Sequence, residues 1–151
     1  HVSACSRTGM ATKGNVALWG SFGYEMDPRK MTDEEKAIVR TQVEEYHKYY
    51  DLIHYGELYR LISPNENPCY AVWQFVSSDK KEALLTKVTI KKDEVHRRLT
   101  VKLKGLDPEA QYICDLSQQT YSGATLMNAG MVFNGLATGD GESIKLYFKK
   151  V

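Results

Sequence analysis

Cysteine is scarce in this sequence. Cys5, Cys69 and Cys114 make up its 3 cysteines, an odd and widely spaced set. No C-x-x-C pair occurs, so a structural zinc site is not expected. Isolated thiols suit a reducing compartment, and a cytoplasmic location is the expectation. An excess of one charge is lacking as well. The 20 Lys and Arg residues nearly balance 19 Asp and Glu, for a net charge of +1. The nearest approach to a basic block, Lys91-Lys92, runs straight into Asp93-Glu94. That pattern fits a solvated strand end and gives no nucleic-acid footprint. No apolar run approaches the roughly 18 residues of a spanning helix, so no membrane partner is expected. The first residues, His1-Val2-Ser3, show neither an initiator Met nor a secretory pattern. Such a start suits a piece of a longer protein.

What is present falls into two parts. The first is dominated by one long helical stretch from Thr32 to about Tyr55. Thr32 followed three residues on by Glu35 forms a capping box, and Asp33, Glu34 and Glu35 put negative charge at the helix N-terminus. Val39, Val43, Tyr46, Tyr50 and Ile53 recur at helical spacing and predict one apolar stripe, widened by Ile38 and Leu52. Gly56 is the expected stop. Upstream, Ser6 to Gly14 reads as a polar loop. The continuous apolar run Val16-Ala17-Leu18-Trp19-Gly20 reads as a strand buried on both faces. Gly20 and Gly23 then bracket a turn, and Tyr24 to Pro28 reads as a connection. Strand, loop and long amphipathic helix make one βα unit. Such a unit needs parallel neighbours, so residues 1–55 read as the closing part of a larger α/β fold.

From Glu57 the period changes to that of strands. Leu58 to Ile62, Tyr70 to Val76, Ala83 to Ile90, Arg98 to Lys104, Ala110 to Leu116 and Ile144 to Phe148 are the expected strands. The run from Tyr121 through Gly130 to Leu136 reads with them. Turn formers such as Ser63-Pro64-Asn65 and Thr138-Gly139-Asp140-Gly141 separate them. Short strands at this spacing predict an antiparallel β-sandwich over 56–151.

No complete catalytic constellation emerges from the residues themselves. Glu25 and Asp27 follow the expected buried strand, where α/β barrels keep their active sites, but capping serves as well for them. Glu34-Glu35 and Glu44-Glu45 read as dipole and surface charges. His1, His47, His54 and His96 form no H-x-x-x-H or H-E-x-x-H pattern, and neither a metal nor a cofactor is expected. Cys5 has no nearby His to activate it. Tyr46, Tyr49, Tyr50, Tyr55 and Tyr59 read as an interface between helix and β-domain rather than a sugar platform, and Trp73 as core.

Several ordered segments carry a resemblance. His1-Val2-Ser3-Ala4, Gly14-Asn15-Val16-Ala17 and Gly20-Ser21-Phe22-Gly23-Tyr24-Glu25-Met26-Asp27 are similar to the last barrel segments of family 36 α-galactosidases. Leu58-Tyr59-Arg60-Leu61-Ile62-Ser63-Pro64, Leu103-Lys104-Gly105-Leu106-Asp107-Pro108, Tyr121-Ser122-Gly123 and Leu126-Met127-Asn128-Ala129-Gly130 continue it to the end of the chain. Two departures stand out. The family usually has a Pro-Asn-His-Gln run where Cys5 leads to Ser6-Arg7-Thr8-Gly9, and an acidic pair where this sequence has Ala124-Thr125.

The resemblance implies a (β/α)8 barrel followed by an antiparallel β-sandwich. It also implies retaining hydrolysis of terminal α-1,6-galactosides such as melibiose and raffinose. The two catalytic aspartates of the family lie upstream of the position matching His1, so this chain alone is expected to be inactive. Residues 1–55 would close the barrel, with His1, Ser3 and Gly20 as substrate-binding candidates near its mouth. The galactoside would bind through the complete barrel, in a cytoplasmic homo-oligomer. The competing expectation is a non-catalytic carbohydrate-binding or assembly module.

Overall fold

A computed structural model describes residues 2–3, 8–92 and 98–151. His1, Cys5, His96 and the Asp93-Glu94 pair lie outside the described residues. The N-terminal part contains β1 (Val2–Ser3), α1 (Met10–Ala17), β2 (Tyr24–Glu25), a 3-10 turn (Pro28–Lys30) and α2 (Asp33–Tyr55). Strands β1 and β2 are parallel, pairing Val2 with Tyr24 and Ser3 with Glu25. The remainder comprises β3 (Glu57–Ile62), β4 (Tyr70–Val76), β5 (Glu82–Thr89), β6 (Arg98–Val101), β7 (Gln111–Cys114), β8 (Thr120–Ser122), α3 (Gly123–Asn128), β9 (Met131–Asn134) and β10 (Ser143–Lys150).

Six of these strands form one antiparallel sheet in the order β3-β4-β5-β10-β7-β8, and β6 pairs with β9 in a second, two-stranded sheet. Each face of the large sheet buries its own core. Val72, Val76, Leu85, Leu146 and Phe148 pack with Val101 and Phe133 of the small sheet and with Leu126 of α3. Trp73, Phe75, Leu84 and Val88 point to the opposite face and pack with Leu18, Tyr49, Leu52 and Ile53. Burial on both faces explains why β4 and β5 read as almost continuous apolar runs. The fold is therefore an α/β remnant followed by an antiparallel β-sandwich, with the α/β helices laid against the outer face of the larger sheet.

Helix α2 is set by its ends. Thr32 Oγ1 accepts from the Glu35 amide at 3.2 Å, and the Glu35 carboxylate accepts from the Thr32 amide at 3.0 Å. This is the expected capping box. Gly56 ends the helix with an ordinary φ of −78°. Its requirement is space, because a Cβ there would lie 2.2 Å from the Leu52 carbonyl oxygen and 2.8 Å from that of Val76.

Three expectations are corrected. Val16 to Gly20 is no strand: Val16 and Ala17 end α1, and Leu18 to Ser21 turn. A short apolar run has no period long enough to separate helix from strand, and tertiary partners decide. Leu18 buries against the sheet, while Asn15 Nδ2 donates to Ser143 Oγ at 2.7 Å. The parallel strand is β2, within the stretch read as a connection. Second, the buried side of α2 is Gln42, Tyr49, Leu52 and Ile53, whereas Val39, Val43 and Tyr46 are half-buried and Tyr50 is exposed. The helix has turned toward the large sheet, which offers Tyr147 and Trp73. Third, the run from Tyr121 to Leu136 is interrupted by α3, because Ser122 caps a helix by accepting from the Thr125 amide at 3.0 Å.

Candidate functional site

The parallel pair β1–β2 gives the N-terminal part a direction. In barrels of parallel strands, chemistry sits where the strands end. Ser3 and Glu25 occupy that end here. A cleft of about 440 Å³ opens beside it. One wall is the start of α1, with Thr8, Gly9, Met10 and Lys13. The other is the link from β2 to α2, with Met26, Asp27, Lys30 and Met31. Lys13 Nζ donates to the Ser3 carbonyl oxygen at 2.8 Å, tying α1 to the end of β1. Asp27 accepts from the guanidinium of Arg29 through both carboxylate oxygens, each at 3.0 Å, and from the Arg29 amide. The Arg29 side chain and amide hold the Asp27 carboxyl below the usual carboxylate range. That capping role is the bland alternative foreseen for this residue.

A buried amide ties the first wall to β2, the strand that leads into the second. Gln42 of α2, only 5% exposed, donates through Nε2 to the Met10 carbonyl oxygen at 2.8 Å. Its Oε1 accepts from the Tyr24 hydroxyl at 2.7 Å. Gly14 lets α1 lie flat on this amide, since a Cβ there would fall 2.3 Å from Gln42 Nε2. Burial, and then the Glu45 carboxylate, push the Tyr24 hydroxyl up to about 12, so it stays a donor across the physiological range. Sequence reasoning missed Gln42 and Lys13. Gln42 had a signal: it is the one polar position between Val39 and Tyr46 at stripe spacing. Lys13 had none.

Of the residues singled out from sequence, Ser3 lies at the strand end and also lines a second cleft of about 380 Å³ with Thr12, Lys13 and Val88. Gly20 lies elsewhere, in the turn before β2, and nothing sits within 4 Å of where a Cβ would be. Gly23 accepts from the Val2 amide at 2.8 Å, which places this turn by the starts of β1 and β2, opposite the cleft. Among the described residues, no group of three or more His, Cys, Asp or Glu could hold a metal ion. No helix among the described residues is long and apolar enough to cross a membrane.

Tyrosines from α2 divide between two roles. Tyr49 packs against Tyr147 of β10 at 5.3 Å between ring centroids, on the sheet side. Tyr46 stacks on Phe22 at 5.2 Å, both rings bordering the same core, and shares a hydrogen bond of 2.9 Å with His54 Nε2. Tyr59 belongs to the opposite core and Tyr55 is exposed. Trp73 is core, against Trp19 at 4.6 Å.

Comparison with known proteins fits this architecture to one family. The model for the glycosyl hydrolase family 36 C-terminal domain matches residues 70–148, and the melibiase model matches residues 1–56. The chain belongs to glycoside hydrolase family 36. Among curated relatives, the family 36 chain is 38% identical over 137 residues to the bifunctional alpha-galactosidase/sucrose kinase AgaSK of Mediterraneibacter gnavus, covering 87% of itself and 14% of that protein. It is 36% identical over 140 residues to the alpha-galactosidase Mel36A of Lactobacillus acidophilus, covering 93% of itself and 19% of that protein. The galactosidase domain of AgaSK superposes on all of this family 36 chain with a TM-score of 0.93 at 35% identity, using 22% of that structure. A Geobacillus stearothermophilus AgaA variant in complex with raffinose gives 0.93 at 34% identity, using 21% of its chain. The chain therefore spans about a fifth or less of the length of these relatives.

Proposed function

We propose that this chain is the C-terminal portion of a retaining α-galactosidase that hydrolyses terminal α-1,6-galactosides of the melibiose and raffinose type. The observation that carries the proposal is the superposition of the whole chain on a raffinose-bound α-galactosidase. The catalytic pair is assigned to aspartates upstream of this chain. They would act by double displacement through a covalent galactosyl–enzyme, with carboxyl groups about 5–5.5 Å apart. Residues 1–55 close the barrel and residues 56–151 form the sandwich. The melibiase match ending at residue 56, the C-terminal-domain match starting at residue 70 and the end of α2 at Tyr55 support that division. Ser3, at the end of β1, is kept as a mouth residue; Gly20 is read as a turn residue.

Homo-oligomerisation of the complete enzyme belongs to the same proposal. The exposed Ile38 and Tyr50 on α2 support burial of parts of that helix against further protein. A cytoplasmic location is proposed on the free thiols of Cys69 and Cys114.

The test is an assay of raffinose and melibiose hydrolysis by the complete enzyme and by residues 1–151 alone. Turnover is expected from the complete enzyme and not from the isolated chain. Turnover by residues 1–151 would overturn the upstream placement of the catalytic pair. Saturable galactoside binding by both, with turnover by neither, would favour a binding module.

A further inference from the structure

We propose that Gln42 is a positioning residue whose side-chain amide clamps the two walls of the cleft at the end of β1–β2 and so sets its width for substrate. The proposal rests on the α-galactosidase reading and deepens it. The two walls come from different elements. Thr8 to Lys13 open α1, and Met26 to Met31 lead from β2 into α2. One amide on α2 reaches from the first wall to the strand that leads into the second. Its NH2 group holds the Met10 carbonyl, within the first wall, and its carbonyl holds Tyr24, two residues before the second. A side-chain amide is uncharged at every pH and offers a donor and an acceptor on one carbon, and both are used here. Burial makes this strict, because an unmatched partner in a dry site loses its full solvation.

Neighbouring residues are fitted to the clamp. Gly14 leaves the space that the Gln42 amide fills, since a Cβ there would lie 2.3 Å from its Nε2. Lys13, one residue earlier on α1, fixes the adjoining end of β1 through the Ser3 carbonyl. The first wall is thus held at two points, one to each parallel strand. Gln42 touches no part of the cleft's lining through a free polar atom, since both ends of its amide are engaged. Its influence on substrate therefore runs through wall spacing. Binding should respond, whereas the reacting carboxyls, assigned elsewhere, should not.

The experiment uses the complete enzyme, with kcat and KM measured separately for raffinose. Gln42→Leu keeps roughly the side-chain size and removes both hydrogen bonds. It is expected to raise KM about five- to tenfold while kcat stays within about twofold, the split that marks lost uniform binding. Tyr24→Phe removes one bond, adds no bulk and serves should Gln42→Leu not fold; a KM rise of about two- to threefold is expected. Gln42→Glu supplies a readout that general destabilisation would not give. Ionised, the carboxylate repels the Met10 carbonyl; protonated, it again offers a donor and an acceptor. Relative to wild type at each pH, its KM defect should shrink as pH falls. An unchanged KM in both Tyr24→Phe and Gln42→Glu, or a kcat that falls in step with folded fraction, overturns the clamp alone. A wild-type enzyme that hydrolyses no α-galactoside overturns the functional reading, and the clamp with it.

Discussion

Strands β4 and β5 pair without a break from Tyr70 opposite Thr89 to Val76 opposite Ala83, with buried side chains on both faces. Strands β1 and β2 share two residue pairs, and what holds their surroundings is polar: Lys13 to Ser3, and Gln42 to Met10 and Tyr24. The β-sandwich closes a core of its own. Among the described residues the α/β part relies on that sheet: its apolar Leu18, Tyr49, Leu52 and Ile53 are buried against it. Dispersion and area burial are spread over many atoms, so they tolerate local adjustment. A buried hydrogen-bond network depends on a few groups, and each unmatched group is expensive. The sandwich should therefore fail as a whole, and the α/β part piece by piece.

Phe148→Ala tests the first half and should have the largest effect. The ring is fully buried at the centre of the sandwich core, where β10 sits between β5 and β7. Truncation removes its transfer energy and leaves a cavity, for a loss of about 3–5 kcal/mol. A urea titration should show one transition moved to lower denaturant, read alike by far-UV dichroism and tryptophan fluorescence. Separate transitions would break the picture of a single cooperative sandwich.

Gly14→Ala tests the second half. In an exposed helix interior this change would stabilise by about 1 kcal/mol through propensity. Here the added methyl meets the Gln42 amide at 2.3 Å and must displace it. The Met10 carbonyl and the Tyr24 hydroxyl then lose their partner, and a net loss of about 1–3 kcal/mol is expected. Hydrogen exchange should speed up in α1 and around Tyr24 while the amides of β4 and β5 keep their protection. A stabilised variant would mean that the amide moves away freely and that no clamp exists.

The contrast also explains what could be read without coordinates. The sandwich was legible because its signals are periodic and summed over several strands. Arg98 to Val101 and β10 alternate, while β4 and β5 are apolar throughout because both faces are covered. The ends of α2 were legible because Thr32 and Glu35 make a local, reciprocal bond. In the α/β part the long helix and the α/β class were legible, but the short elements before the helix were not. Two-residue strands carry no period, so Tyr24-Glu25 passed for a connection and Val16 to Gly20 for a strand. The rotation of α2 depends on where the large sheet lies, and Tyr46 and Tyr49 are equally apolar from the sequence. The clamp was hidden for a related reason: a glutamine inside a stripe announces a buried partner but not which one.

Alkaline pH gives the smallest and most local test of the comparison. Burial raises the hydroxyls of Tyr24, to about 12, and of Tyr147, where a hydrogen bond to Glu82 adds to the effect. A tyrosine in the unfolded chain ionises near its ordinary value of about 10. Below that pH both states keep the proton and stability is unaffected. Above it the unfolded chain loses protons that the folded chain retains, so stability falls as pH rises through the folded values. Each tyrosine reports on a different contact. Tyr24 belongs to the polar clamp of the α/β part, whereas Tyr147 lies on β10 against Tyr49 of α2. Tyr24→Phe should flatten only part of the decline in stability between about pH 10 and 12, and Tyr147→Phe a separate part, with the double variant showing the sum. Urea midpoints measured across that range check it. A Tyr24→Phe curve that parallels wild type would mean that the Tyr24 hydroxyl is solvated and that the link between β2 and α2 is not made in solution.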